Sequence, residues 1–256
     1  MSRLTDISRK IEQVAKKHPD LVTVSSFSVP YNIFDSQHME MDSITVRVGN
    51  GDRKFINTYG THGDEIPALM SLPQTIEEAV KYERALSKVS WYGIITNPRA
   101  VVDVTRRAQL TEEDSIEVNR NWYHQPLSLT RKSIANQIHL ALKEFRGAFF
   151  LDHHSDNRLR SLFRKKEGYF ITAGPKNLRP PILNYERLIK ESMQKVGDLP
   201  VEEDGVQGTL LEYVTDRLRI PGLAFEDCRR LKKGIEERTQ LHTNVSIALL
   251  NYFAKR

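Results

Sequence analysis

The sequence has 256 residues, 39% of them hydrophobic, and its 38 basic and 33 acidic residues leave a net charge of +5. A chain of this length can bury a sizeable core in one large domain or two small ones, and so modest a charge does not by itself imply nucleic acid. The single cysteine, Cys228, excludes an intramolecular disulfide framework, and no stretch approaches the roughly 20 apolar residues that span a bilayer.

From the N-terminus, Leu4, Ile7, Ile11, Val14 and Ala15 recur at helical spacing and predict a helix over 3–17, stopped by His18-Pro19-Asp20. The opening MSRLTDISRK lacks the apolar centre of a signal peptide, so a cytoplasmic protein is expected. LVTVSSFSV (21–29) and SITVRV (43–48) alternate as strands, and KFINTYG (54–60) is a third. An amphipathic pattern from Ile66 to about Ala85 predicts one long helix. VSWYGIIT (89–96) predicts a fourth strand running into Asn97-Pro98, followed by a polar loop too long to be a mere connection. A helix over 129–145 leads to the strand GAFFLD (147–152), and helices are predicted at 181–196 and 208–219. A short strand, GLAFED, precedes a closing helix from about 234 to 254.

No repeat, low-complexity tract or flexible linker interrupts the chain, so one domain spanning 1–256 is expected. Strands alternating with helices predict an α/β/α sandwich around a mixed, mostly parallel central sheet. Ligands in such folds gather at the carboxyl ends of strands. Polar clusters fall there: His62 and Glu65 after the third strand, Asn97 after the fourth, His153-His154 after the fifth, and Glu226 closing the last.

Catalytic zinc sites take three protein ligands, commonly His and Glu, and leave a fourth position for water. His62 and Glu65, three residues apart on one turn, form the close pair, and His153 or His154 is the remote third. An H-x-x-E alone arises easily as a solvated loop; its conjunction with the other strand-end clusters points to zinc. Alternation puts Asp152 and His154 on one face, which gives His154 an acidic neighbour and makes it the expected ligand, with His153 in reserve. Gly60 and Gly63 are expected to let the backbone turn tightly, and Asp64 to stay off the metal.

Taken in chain order, AKKHPDLVTV, GTHGDE, NPRA, VNRNW, LDHHSD and LAFED resemble the motifs of the M14 family of zinc metallocarboxypeptidases. GTHGDE resembles the H-x-x-E that carries two zinc ligands, and LDHHSD the strand whose ligand histidine precedes a serine, which favours His154 ahead of Ser155. The resemblance implies one zinc ion on His62, Glu65 and His154, with Glu226 of the apolar-F-E segment as general base and acid. It implies that Asn119 and Arg120 bind the substrate's terminal carboxylate, for which a guanidinium fork is suited. Arg106, in a T-R step, fits the oxyanion-stabilising arginine better than its neighbour Arg107, which is assigned to substrate binding. Leu211, ahead of the Glu212-Tyr213 pair, would help form the floor of the specificity pocket.

The chain departs from the family pattern in several places. Arg99-Ala100 replaces Asp-Gly in the N-P turn, as in the deacylase branch, and Glu117-Val118 replaces Asp-Leu. Asp204 stands where carboxypeptidases carry a substrate-capping tyrosine, leaving Tyr169, Tyr185 or Tyr213 as substitutes. The expected function is a zinc metallocarboxypeptidase hydrolysing a C-terminal amide bond. Its expected partner is a peptide or N-acyl amino acid with a free carboxylate, and neither nucleic acid nor membrane. The alternatives are an amidohydrolase acting on N-acyl amino acids or cell-wall peptides, and an inactive metal- or peptide-binding protein. RLRSLFRKKEGYF (158–170) reads as a solvated rim of the cleft and RRLKK (229–233) as a basic turn opening the last helix. Cys228 reads as a small buried residue.

Overall fold

The structure, a computed structural model, describes residues 2–33, 37–104, 122, 127–142, 148–156, 168–171, 201–202, 209–228 and 234–255. Its strands are β1 (Val22–Ile33), β2 (Gln37–Val48), β3 (Arg53–Tyr59), β4 (Val89–Ile95), β5 (Ala148–Asp156), β6 (Gly168–Ile171), β7 (Val201–Glu202) and β8 (Gly222–Cys228). Its helices are α1 (Arg3–Lys17), α2 (Ile66–Ala79), α3 (Glu83–Leu86), α4 (Pro98–Asp103), α5 (Leu129–Leu142), α6 (Leu210–Glu212) and α7 (Ile235–Lys255). The strands form one mixed sheet in the order β1-β2-β4-β3-β5-β8-β6-β7. Its centre, β4-β3-β5-β8, is parallel, and β2 and β6 flank it in the antiparallel sense.

Strand alternation splits the core in two. Phe55 and Tyr59 of β3, Phe149 and Leu151 of β5 and Leu223 and Phe225 of β8 pack with apolar residues of α1, α2 and α7. Ile56, Phe150 and Ala224, one residue out of step, pack with Ile134 and Ile138 of α5 and with Leu210 and Leu211 of α6. Helices cover both faces, which is the α/β/α sandwich that the alternating pattern predicts. Among the described residues, no helix is long and apolar enough to cross a membrane.

Several boundaries differ from expectation. β1 and β2 are each 12 residues long and pair along their whole length. The long helix expected from Ile66 ends at Ala79, and after a turn the separate α3 brings Ala85 and Leu86 into the core. The polar loop expected after Asn97 begins with α4, and α6 passes directly into a π-helical turn over Tyr213–Arg217. β6 and β7 have no counterpart among the expected strands. Tyr169 and Phe170 are buried in β6, so the solvated-rim reading of 158–170 is wrong at its C-terminal end. The helix expected over 181–196 lies outside the described residues.

Candidate metal centre

The loop after β3 is shaped by its backbone. Gly60 has φ +69°, a left-handed conformation that favours glycine. Gly63 serves differently from expectation: a Cβ there would sit 1.7 Å from the Ala100 carbonyl oxygen, so it allows the loop to lie against α4. Asn97 does not face the metal ligands but braces their loop. Its Oδ1 accepts from Ala100 N (3.2 Å) and Tyr31 Oη (2.9 Å), capping α4, while its Nδ2 donates to Thr61 O (3.3 Å). Glu65 then occupies the cap position of α2, whose first turn carries Pro67.

This loop and β5 bring His62, Glu65 and His154 together, with ligand atoms all within 4.8 Å of one another and each residue 3% exposed. His62 Nδ1 lies 2.6 Å from Glu65 Oε1, and His154 Nδ1 lies 2.9 Å from Glu65 Oε2. The two rings are tilted, with centroids 5.1 Å apart. The other nitrogen of His154, Nε2, donates to Asp152 Oδ2 at 2.9 Å, and Asp152 Oδ1 accepts from Thr58 Oγ1 at 2.7 Å. A carboxylate holding the remote ring nitrogen fixes the ring so that Nδ1 is aimed at Glu65 and the ligand cluster. Two imidazoles and a carboxylate converging in a buried pocket suit a divalent ion of the zinc type.

Electrostatics link this cluster to protons. Burial would raise the Glu65 pKa, but His154 and His62 outweigh it and hold the carboxyl well below the usual range. Burial likewise disfavours a charged His154, yet Asp152 and Glu65 lift it well above an ordinary histidine. Glu65 thus contributes stability that is present above the normal carboxylate pKa and lost as pH falls through its depressed value. His154 contributes stability that is complete below about 6.5 and lost as pH rises through its raised value. A metal ion competes with the His154 proton. The metal-free protein is therefore expected to lose the His154 contribution to thermal stability as pH rises above about 6.5, while the increase in Tm on adding zinc grows. Parallel melts with chelator and with zinc across this range check it, and an increment that shrinks with rising pH would contradict it.

His153 points to the opposite face. Its ring stacks on Tyr59 at 4.4 Å and 8°, its two nitrogens contact His242 and Asn57, and burial first, then His242 and His154, keep it neutral. Glu226 is partly buried, pairs in register with His154 on β5 and Tyr169 on β6, and so shares the face of His154. Leu211 is buried in the α5–α6 core, where its Cδ1 would be 3.1 Å from a Cβ at Gly222. Tyr213 packs on Trp122 with ring centroids 5.1 Å apart. Arg106, Arg107, Asn119, Arg120, Tyr185 and Asp204 lie outside the described residues, as do Glu117 and RRLKK. Asp227 and His242, 15 residues apart, form no local motif that marks them in the sequence.

No protein-family model matches the sequence, and a search of curated proteins gives no significant match. Solved structures do match. Bovine thrombin-activatable fibrinolysis inhibitor, in complex with tick carboxypeptidase inhibitor, superposes with TM-score 0.69 at 14% identity over 100% of this chain and 98% of that one. A Pseudomonas aeruginosa metallo-carboxypeptidase, in complex with (2-guanidinoethylmercapto)succinic acid, gives 0.69 at 15% identity, covering 96% of this chain and 68% of that one. A Burkholderia cenocepacia metallo-carboxypeptidase gives 0.66 at 13% identity, covering 96% and 67%. The chain has the metallo-carboxypeptidase fold.

Proposed function

We propose that the protein is a zinc-dependent hydrolase that removes a residue from the C-terminus of a peptide. The observation that supports this best is the buried His62-Glu65-His154 cluster with Glu226 in register beside His154. When bound, zinc supplies Lewis acidity and activates water at neutral pH. Glu226 takes the proton of the attacking water and returns it to the nitrogen of the leaving amine. It sits on the apolar strand β8, only partly open to solvent, in register with His154. Asp152 keeps the His154 ring oriented throughout. On the resemblance to M14 carboxypeptidases, Arg120 and Asn119 clamp the substrate's terminal carboxylate and Arg106 balances charge developing on the carbonyl oxygen, with Arg107 beside them. Leu211 is assigned to the floor of the side-chain pocket, which favours uncharged residues.

Arg99-Ala100 in the N-P turn and Asp204 at the capping-tyrosine position favour a second reading, cleavage of N-acyl amino acids by the same residues. Both substrate types present an amide beside a free carboxylate. Turnover of N-blocked dipeptides and of N-acyl amino acids by the zinc-loaded protein separates them. Faster cleavage of the dipeptides supports the peptidase, faster cleavage of the acyl amino acids the deacylase, and zinc without hydrolysis of either class contradicts both.

A further inference from the structure

The face of the sheet opposite the metal cluster carries a second buried polar system. Asp227 of β8 accepts from Arg238 Nε at 2.7 Å and, closer still, from Arg238 Nη2, both on Oδ1. Its Oδ2 accepts from Ser155 Oγ of β5 (2.7 Å) and His242 Nε2 of α7 (2.8 Å). His242 Nδ1 lies 3.0 Å from His153 Nδ1, and His153 Nε2 lies 3.1 Å from Asn57 Oδ1 of β3 and 3.0 Å from Ser246 Oγ. Asp227, His153, His242 and Asn57 are fully buried. An arginine, a carboxylate and two imidazoles are a costly core, and apolar side chains of similar volume often stabilise as well or better. Stability alone therefore gives a weak account of the chain of contacts.

Its geometry suggests another role. The chain ties together β3, β5 and β8, the three strands that deliver the candidate site residues, and it does so one residue out of step with them. His153 precedes His154, Asp227 follows Glu226, and Tyr59, on which His153 stacks, precedes His62 by three residues. In an extended strand, fixing one side chain fixes the backbone that aims its neighbour to the other face. We propose that Asp227, acting through His242 and His153, is a positioning residue that holds the two halves of the metal centre in place from behind the sheet. This rests on the zinc reading above.

Zinc affinity measured by chelator competition, with the visible spectrum of the cobalt-substituted protein, tests it without reference to turnover. Asp227→Asn keeps the shape but loses the charge; His153→Phe keeps the stack on Tyr59 but loses the polar contacts with His242, Asn57 and Ser246. Each is expected to weaken zinc binding by about 10-fold or more and to shift the cobalt bands, as when groups behind metal ligands are lost. Ile138→Ala, in the core of the other face, serves as the control for lost stability and should leave the affinity within about 2-fold. If Asp227→Asn fails to fold, His153→Phe and the milder Ser155→Ala decide. Wild-type affinity and spectra in the folded variants overturn the proposal, as does equal weakening by Ile138→Ala. A wild type that binds no zinc overturns the zinc reading itself, and this proposal with it.

Discussion

Replacing His62 with alanine is expected to give a folded protein that no longer retains zinc through dialysis. His62 supplies one donor of three, and the remaining pair, Glu65 and His154, comes from two separate elements. If the about 10–16 kcal/mol of a protein zinc site is shared over three ligands, losing one weakens binding by about 10²- to 10⁴-fold. The substitution also strips the Glu65 carboxylate of a partner at 2.6 Å, which leaves His154 as the partner of that buried charge among the described residues. A further loss of about 1–3 kcal/mol in the stability of the metal-free protein follows. Metal analysis of wild type and variant after identical dialysis checks the first point, and denaturant unfolding with chelator present checks the second. About one zinc per chain in the variant would remove His62 from the site.

Glu226→Gln is expected to behave in the opposite way, keeping the metal and losing the reaction. The amide fills the same space on β8 but cannot take up a proton, and Glu226 is no member of the ligand cluster. A positioned general base contributes about 10²- to 10⁴-fold, so kcat should fall by that factor while KM and zinc content stay near wild type. Steady-state kinetics on whichever substrate class the wild type cleaves gives the answer. A variant with more than about a tenth of wild-type kcat would take the proton-transfer role away from Glu226.

How much of this was legible in the sequence varied with the locality of the signal. β3, β4, β5 and β8 were readable because apolar runs of strand length end in Gly, Asn-Pro, His or Glu. The same alternation separated His154 from His153: the structure puts Asp152 beside the former and sends the latter to the opposite face. The inner ends of β1 and β2, PYNI (30–33) and QHMEM (37–41), were not readable, since they are held by pairing with each other rather than by their own period. β6 was hidden because GYFI follows a basic run, and its burial depends on lying against β8. The Asp227 system was invisible for a deeper reason. Its members range from Asn57 to Ser246, so no window of sequence contains it.

The position of β8 bears on how the protein comes into being. This strand is made after β5, β6 and β7, yet it sits between β5 and β6. A chain growing on the ribosome has all three candidate zinc ligands once residue 154 has emerged, but lacks Glu226 and the strand that covers the open side of β5. The sheet cannot close until that late segment slides into its slot, a non-local step of the kind that slows folding. On the functional reading above, a hydrolase built in this order has its metal pocket in hand before its proton carrier. Half-made chains would then be silent, and activity would begin only when the sheet is complete.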